Sequence, residues 1–220
     1  MNLKKTLTLS AVATFILALM QAGVVLASSN ARFSQTISDG VQSVDVVNTT
    51  GTPVGSPAVS FNSLAFSFDS QTATGTLGAV DQKIRVFNPT GDTTWNVSLA
   101  ATSGATATWS NGGTDRYDYN DANADGTDSA DTDSVGGRLT VNPSAATLAG
   151  VGTSCTTSNV TLGSSANFQE GSVASVTLLT GAAGSPRYCR WDLTGVSLSQ
   201  VLPASQPAGT YSIDFTLTIA

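Results

Sequence analysis

Histidine is absent from this 220-residue chain, and glutamate and lysine are scarce. The missing imidazole excludes Ser-His-Asp and Cys-His catalysis and the commonest zinc sites. The one glutamate, Glu170, stands in a Gln-Glu-Gly sequence that is typical of an exposed turn. The sequence has no phosphate-binding loop, dinucleotide fingerprint or Cys-x-x-Cys motif. We therefore expect no catalytic residues and no enzyme activity, and the remaining enzymatic alternative is a hydrolase that acts through pairs of aspartates.

The first 27 residues have the layout of a secretory signal peptide. Lys4 and Lys5 supply the positive start, an apolar run covers residues 7–25, and Ala27 precedes the expected cleavage before Ser28. The alternative is an uncleaved membrane anchor, because the apolar run approaches the roughly 20 residues that span a bilayer. We expect cleavage, since small residues occupy the cleavage site and polar chain follows at once. The protein is then secreted, with no membrane contact after cleavage.

The chain that follows the leader is acidic. After cleavage, seven basic residues stand against fifteen acids, which gives a net charge of −8. A surface of this charge repels nucleic acid and anionic lipid, so neither is an expected partner. The two cysteines, Cys155 and Cys189, are predicted to form a disulfide because the chain is exported; a pair of buried free thiols is the alternative.

Short runs of alternating apolar and polar residues, rich in Thr, Val and Ser, predict strands rather than helices. About ten such runs are separated by turns of Gly, Pro and Asn. This pattern predicts an all-β fold, an antiparallel β-sandwich of jelly-roll type. Residues 28–56 form an N-terminal strand or arm with a linker, and residues 57–220 form the sandwich domain, with an acidic loop at 115–133.

Three local features sharpen this prediction. Residues 84–88 and 95–99 alternate on either side of an Asn-Pro-Thr-Gly turn, which predicts a hairpin. Residues 61–68 are strand-like, with Leu64, Phe66 and Phe68 on one face. The apolar parity changes at Gly195, which predicts a β-bulge.

The acidic loop is the stretch whose residue types fit a specific chemistry. Side-chain oxygens occupy the first, third and fifth places, and Gly126 in the sixth place allows the sharp turn that wraps them around one ion. Later residues add carboxylates and a backbone carbonyl. The predicted ligands of a structural Ca²⁺ are Asp121, Asn123, Asp125, Thr127, Asp128, Asp131 and Asp133.

This spacing resembles the calcium loops of dockerins and thrombospondin type 3 repeats. It differs from an EF-hand, because the twelfth place holds Thr132 instead of a bidentate Glu and no helical pattern flanks the loop. The alternative is a solvated acidic loop without an ion. We favour calcium, since seven carboxylates within residues 115–133 repel one another unless a cation compensates them.

Two motifs place a tryptophan two residues before an aliphatic residue on one strand face: Trp95 with Val97, and Trp191 with Leu193. This layout resembles the WxL-type domains of bacterial cell-surface proteins, with Val97 in place of the leucine at the first site. The resemblance implies a β-rich domain and non-covalent attachment to the cell wall. The alternative is that both tryptophans are core residues of the sandwich.

We expect a secreted, non-enzymatic protein of the bacterial cell surface that mediates envelope attachment or adhesion. Its partner is then a cell-wall polymer or a surface protein. No sorting motif or apolar tail follows Ile219 and Ala220, so we expect non-covalent attachment. The second hypothesis is a fibre or pilus subunit that self-assembles when the N-terminal arm adds as a strand to a neighbouring subunit.

Overall fold

The computed structural model describes residue 32 and residues 34–121 and 136–220. The predicted leader and its cleavage site lie outside these residues. The chain divides into two units, Met1–Ser38 and Asp39–Ala220. In the first unit the described residues are exposed and have no regular secondary structure. Within the described part of the chain, no helix has the length and apolar character needed to cross a bilayer.

The described residues form fourteen strands in antiparallel sheets, and strands account for 45% of the chain against 3% for helical turns. The prediction of an all-β, sandwich-like fold is therefore confirmed. The strands in chain order are β1 (Ser43–Val47), β2 (Gln71–Leu77), β3 (Lys83–Asn88), β4 (Trp95–Ala101), β5 (Thr108–Ser110), β6 (Arg116–Asp118), β7 (Arg138–Asn142), β8 (Thr147–Gly150), β9 (Val160–Leu162), β10 (Ala166–Asn167), β11 (Ser175–Gly181), β12 (Cys189–Thr194), β13 (Val196–Leu202) and β14 (Phe215–Ile219). Two single 3₁₀ turns lie at Gly104–Thr106 and Pro143–Ala145.

Three pairs of consecutive strands connect two of the sheets, because the chain crosses from one sheet to the other between the two strands of each pair. β2 is followed by β3, β7 by β8 and β12 by β13, and the members of each pair lie in different sheets. One sheet has the order β1-β3-β12-β8 and the other β10-β7-β13-β2, so the same three pairs are neighbours in both sheets, on either side of the bend where the chain crosses. A third sheet, β14-β4-β11-β9, and the β5-β6 hairpin complete the described fold.

Gly195 is one of the residues at this bend. Its φ of 81° lies in the left-handed region, and its N–H donates to the carbonyl of Gly78 on the neighbouring run at 2.9 Å. The predicted bulge at Gly195 is wrong, because the parity changes where the chain leaves one sheet and enters the other. A register shift of the bulge type occurs instead in β11, between Thr177 and Leu179.

The predicted hairpin of residues 84–88 and 95–99 is also wrong. β3 pairs with β1 and β12, whereas β4 pairs with β14 and β11. The buried side chain of Asn88 shapes the crossing between sheets, since its Oδ1 accepts from Thr90 Oγ1 at 2.7 Å and its Nδ2 donates to Asp92 O at 2.8 Å. The Asn-Pro turn therefore directs the chain across the sandwich instead of back along the same sheet.

Residues 61–68 do not form the predicted strand. Phe61 makes a single bridge to Gly75, and the residues after it have no ladder partner in the described chain. Leu64, Phe66 and Phe68 are 37%, 54% and 80% exposed. The alternation of these residues reflects an exposed apolar surface and not a buried strand face.

In the core, two tryptophans from different sheets contact each other. Trp95 on β4 and Trp191 on β12 are buried, and their ring centroids lie 5.1 Å apart. Val97 and Leu193, two residues further along the same strands, are fully buried beside them. The interpretation of both tryptophans as core residues is confirmed by this packing. β1 pairs with β3 in register, so residues 43–47 belong to the same domain as the core.

Candidate metal-binding loop and aromatic groove

Backbone hydrogen bonds hold the two ends of the predicted calcium loop side by side. The N–H of Asp121 donates to the carbonyl of Gly137 at 3.0 Å. The N–H of Leu139 donates to the carbonyl of Tyr119 at 2.7 Å. The chain therefore leaves the sheet after Asp121 and re-enters it at a neighbouring point. A loop with a closed base of this kind can wrap its side chains around one ion.

Carboxyl groups are buried at this base. Asp118 and Asp121 are 1% and 3% exposed. Glu170, predicted to be exposed, is half-buried, because its N–H donates to the carbonyl of Asn120 at 2.9 Å and brings its turn against the base. Burial raises the pKa of Tyr119, and the charges of Asp118 and Glu170 raise it further. Acidic residues from two separate segments thus lie near Tyr119 at the start of the loop.

One predicted calcium ligand, Asp121, lies among the described residues. The other predicted ligands lie outside them: Asn123, Asp125, Thr127, Asp128, Asp131 and Asp133. Within residues 34–121 and 136–220, no group of three or more His, Cys, Asp or Glu side chains is placed to hold a metal. A buried aspartate at the first place of the loop fits the oxygen chemistry of Ca²⁺, and the site as a whole stays a prediction.

Gln200 connects the β5-β6 hairpin to β13. Its side chain is 1% exposed, and its Oε1 accepts from Trp109 Nε1 at 3.0 Å. Its Nε2 donates to the carbonyls of Asp118 and Val201, both at 2.8 Å. A buried amide that is satisfied on both sides fixes the position of the hairpin. Gln200 therefore links the base of the acidic loop to a surface groove that Trp109 and Gln200 both line.

A surface groove of about 510 Å³ lies between residues 59–67 and residues 202–211. Its floor is a continuous row of aromatic rings. The centroids of Phe61 and Trp109 are 5.3 Å apart, those of Trp109 and Tyr117 are 5.7 Å apart, and those of Tyr117 and Tyr211 are 5.1 Å apart. Every described residue that lines the groove is uncharged. We call these four rings the aromatic row.

Burial keeps Tyr117 neutral, and hydrogen bonds hold the hydroxyl of Tyr211 in place. Burial raises the pKa of Tyr117, and the neighbouring Tyr211 raises it further. The Tyr211 hydroxyl donates to the carbonyl of Pro207 at 2.8 Å and accepts from Gln206 Nε2 at 2.9 Å. The groove thus has a preorganised, uncharged floor on a protein with a formal net charge of −6.

Sequence reasoning missed the aromatic row. Trp109 stands outside the two Trp-x-aliphatic motifs, and Phe61 and Tyr211 are distant from it in the chain. One signal was present in β13, where Val196, Leu198 and Gln200 share a face. A glutamine on an otherwise apolar strand face indicates a buried hydrogen-bonding partner, which here is Trp109.

The disulfide joins Cys155 to Cys189 on β12, with the two Cα atoms 5.4 Å apart. It fixes the segment beside the second Trp-x-aliphatic motif, because Trp191 Nε1 donates to the carbonyl of Thr156 at 2.8 Å. The motif residues Trp95, Val97, Trp191 and Leu193 are all buried, so they can shape a binding surface only through the groups that they support.

A buried ion pair lies on the face of β12 opposite to Trp191. Arg85 Nε and Lys83 Nζ donate to the Asp192 carboxylate at 2.6 and 3.0 Å. Burial alone raises the pKa of Asp192, but the hydrogen bonds and charges of the two cations outweigh it, and the pKa is lowered. This cluster joins neighbouring strands in register and takes no part in the groove.

The chain matches no protein-family model, no curated protein and no solved structure. The resemblances to WxL-type domains and to dockerin and thrombospondin type 3 loops therefore rest on the short motifs alone.

Proposed function

We propose that this is a secreted, non-enzymatic protein of the bacterial cell surface that attaches without a covalent bond to a cell-wall polymer. The observation that carries the proposal is the groove over the aromatic row, whose described lining is uncharged on a strongly acidic protein. A preformed groove with rigid aromatic groups and a few polar groups is typical of a binding site. The disulfide between Cys155 and Cys189 is compatible with an oxidising, extracellular setting.

Co-sedimentation with purified cell walls tests this proposal. The purified protein should pellet with the walls in a saturable way and remain in the supernatant without them. A surface protein that binds other proteins would instead pellet only with walls that retain their protein. Failure to bind any wall fraction contradicts envelope attachment.

We further propose that Ca²⁺ stabilises the acidic loop. The closed base at Asp121 and Gly137 and the burial of Asp118 and Asp121 support this role. A hard cation that takes six to eight oxygens would bring the loop carboxylates together. Binding should raise the melting temperature, because an ion that binds the folded state alone stabilises it. Calorimetry that detects no binding at millimolar Ca²⁺, with the same melting temperature in chelator, contradicts the site.

The second candidate function is a fibre subunit assembled by strand addition. One observation favours it: Ile37 and Val41, in the segment before β1, are 88% and 85% exposed. Apolar side chains on an extended arm can add to an edge strand of another molecule. Because β1 pairs within its own domain and the N–H of Gly40 donates to the carbonyl of Pro89, the residues before Gly40 are the ones proposed for this role. Deletion of residues 28–40 should abolish filaments, and filaments that persist would exclude strand addition by the arm.

A further inference from the structure

We propose that the groove over the aromatic row binds a neutral saccharide chain. The inference rests on the proposed attachment function and deepens it by naming the site and the class of ligand. Three features of the groove carry it: the charge of its lining, the exposed rings at its rim, and the distribution of its hydrogen-bonding groups.

The charge of the lining favours an uncharged ligand. The protein has fifteen acids, yet the described residues around the groove are all uncharged. An anionic polymer would meet the long-range repulsion of the protein without a local cation to bind it. A cationic ligand would find no carboxylate in the described lining with which to pair. A neutral chain avoids both penalties.

Exposed rings supply a stacking surface at the rim. Phe66 lines the groove and is 54% exposed, and Phe68 beside it is 80% exposed. Their centroids lie 5.1 Å apart in an edge-to-face arrangement, so each ring supports the other. Exposed apolar groups that cluster in this way mark contact sites. The C–H face of a pyranose ring is apolar and weakly positive, which suits the negative face of an aromatic ring.

Amide side chains supply hydrogen bonds of the kind that sugar hydroxyls need. Gln71 and Gln206 line the groove. So does Asn62, whose Oδ1 already accepts from Thr74 and whose Nδ2 remains as a donor. A side-chain amide both donates and accepts, and so does a sugar hydroxyl. Gln206 also holds the hydroxyl of Tyr211, so part of the polar rim is already oriented before a ligand arrives.

A proline-rich peptide is the other uncharged ligand that aromatic grooves accept. Such a peptide needs donors for its backbone carbonyls. In this groove the indole N–H of Trp109 is bonded to Gln200 and the hydroxyl of Tyr211 is bonded to Pro207. These donors are committed to the fold, so a peptide would depend on the side-chain amides. A proline has no backbone N–H to donate to an amide oxygen, whereas a sugar hydroxyl both donates and accepts, which favours the saccharide.

Isothermal titration of the purified protein with four probes tests the inference. The probes are chitohexaose and mannohexaose as neutral chains, hexagalacturonate as an acidic chain, and a nonaproline peptide. We expect binding of at least one neutral chain and neither of the other two probes. Absence of binding to both neutral chains at millimolar concentration, or preferential binding of the acidic chain or the peptide, overturns the inference.

Phe66→Ala locates the binding in the groove. Loss of this exposed stacking ring should weaken neutral-chain binding about tenfold or more while the melting temperature stays unchanged. Tyr188→Ala is the matched control, because Tyr188 is an aromatic residue that is 64% exposed and lies outside the groove lining. Equal affinity of wild type and Phe66→Ala places the binding elsewhere and contradicts the inference.

The two proposals can fail separately. If the wild type pellets with cell walls and Phe66→Ala pellets equally well, attachment stands and the groove is not its site. If the wild type binds a neutral hexasaccharide but no wall fraction, the saccharide site stands and wall attachment is contradicted.

Discussion

Trp109 donates the hydrogen of its indole nitrogen to Oε1 of Gln200 at 3.0 Å, and both side chains are buried. The same amide donates to the backbone of Asp118 at the base of the acidic loop. Gln200 on β13 thus holds both Trp109, in the floor of the groove, and Asp118, at the base of the predicted calcium loop. Its contacts make the position of the groove depend on a correctly formed loop base.

Gln200→Leu should destabilise the protein by about 2 kcal/mol or more. The substitution keeps the side-chain size but leaves the Trp109 N–H and the Asp118 carbonyl without this partner, and each buried polar group left unpaired costs about 1–3 kcal/mol. Urea unfolding measures the effect. Gln169→Leu is the control, since Gln169 is exposed, and it should change the free energy of unfolding little. Equal effects of the two substitutions would contradict the role given to Gln200.

Trp191→Phe should destabilise the protein more than Trp95→Phe, by about 1 kcal/mol. The two rings pack against each other, so both substitutions remove similar apolar contacts. Trp191 Nε1 donates to the carbonyl of Thr156, whereas Trp95 Nε1 has no hydrogen-bond partner among the described residues. Urea unfolding of both variants gives the difference. A larger loss for Trp95→Phe would mean that the indole hydrogen bond contributes little.

The loss of stability in acid should depend on Asp192. Its folded-state pKa is lowered, because the contacts with Arg85 and Lys83 outweigh the opposing effect of burial, so the ion pair stabilises the protein fully above the unfolded-state pKa of about 3.9. That stabilisation is lost as the pH falls through the folded pKa. Asp192→Asn should cost about 3 kcal/mol at pH 7, since it leaves two cations without their carboxylate.

A pH series of urea unfolding separates this contribution from others. The difference in free energy of unfolding between wild type and Asp192→Asn should be constant above about pH 5 and shrink below about pH 4. Asp69→Asn is the control, because Asp69 is exposed, and its difference from wild type should stay small at every pH. A difference that does not change with pH would show that Asp192 is not the group responsible.

Removal of the disulfide should cost about 3–4 kcal/mol, as expected for a cross-link between residues 34 apart in sequence. The double variant Cys155→Ser with Cys189→Ser should melt at a lower temperature than the oxidised protein. Wild type in reductant should match the double variant, because both lack the same constraint. Identical melting of the oxidised and reduced protein would contradict a structural role for the bond.

The fold class could be read from the sequence, because alternation along a strand depends on which face is buried. In β14, half-buried residues alternate with exposed ones along 215–219. In β4, buried residues alternate with more exposed ones along 95–99. Sheet membership could not be read in the same way. The turn at Asn88 and the parity change at Gly195 are compatible with a hairpin or a bulge locally, and only packing across the sandwich turns each into a crossing between sheets.

In the candidate site, too, local features could be predicted from the sequence and features that depend on tertiary packing could not. Carboxylate spacing in the acidic loop is a local signal, so the sequence alone predicts its chemistry. In the aromatic row, Trp109 and Tyr117 face each other across the β5-β6 hairpin, whereas Phe61 and Tyr211 lie on distant segments that only the tertiary fold brings to them. The exposed positions of Phe66 and Phe68 likewise follow from the absence of a ladder partner for residues 62–68 in the described chain, and apolar alternation predicted the opposite.

Competition on purified cell walls tests whether the groove attaches the protein to a wall polymer. The protein is bound to walls at a fixed concentration and then titrated with the neutral hexasaccharide that binds it most tightly in solution, with hexagalacturonate in a parallel series. We predict saturable wall binding that the neutral chain displaces and the acidic chain does not. Protein that fails to bind the walls, or that stays bound at saturating neutral chain, would contradict attachment through the groove.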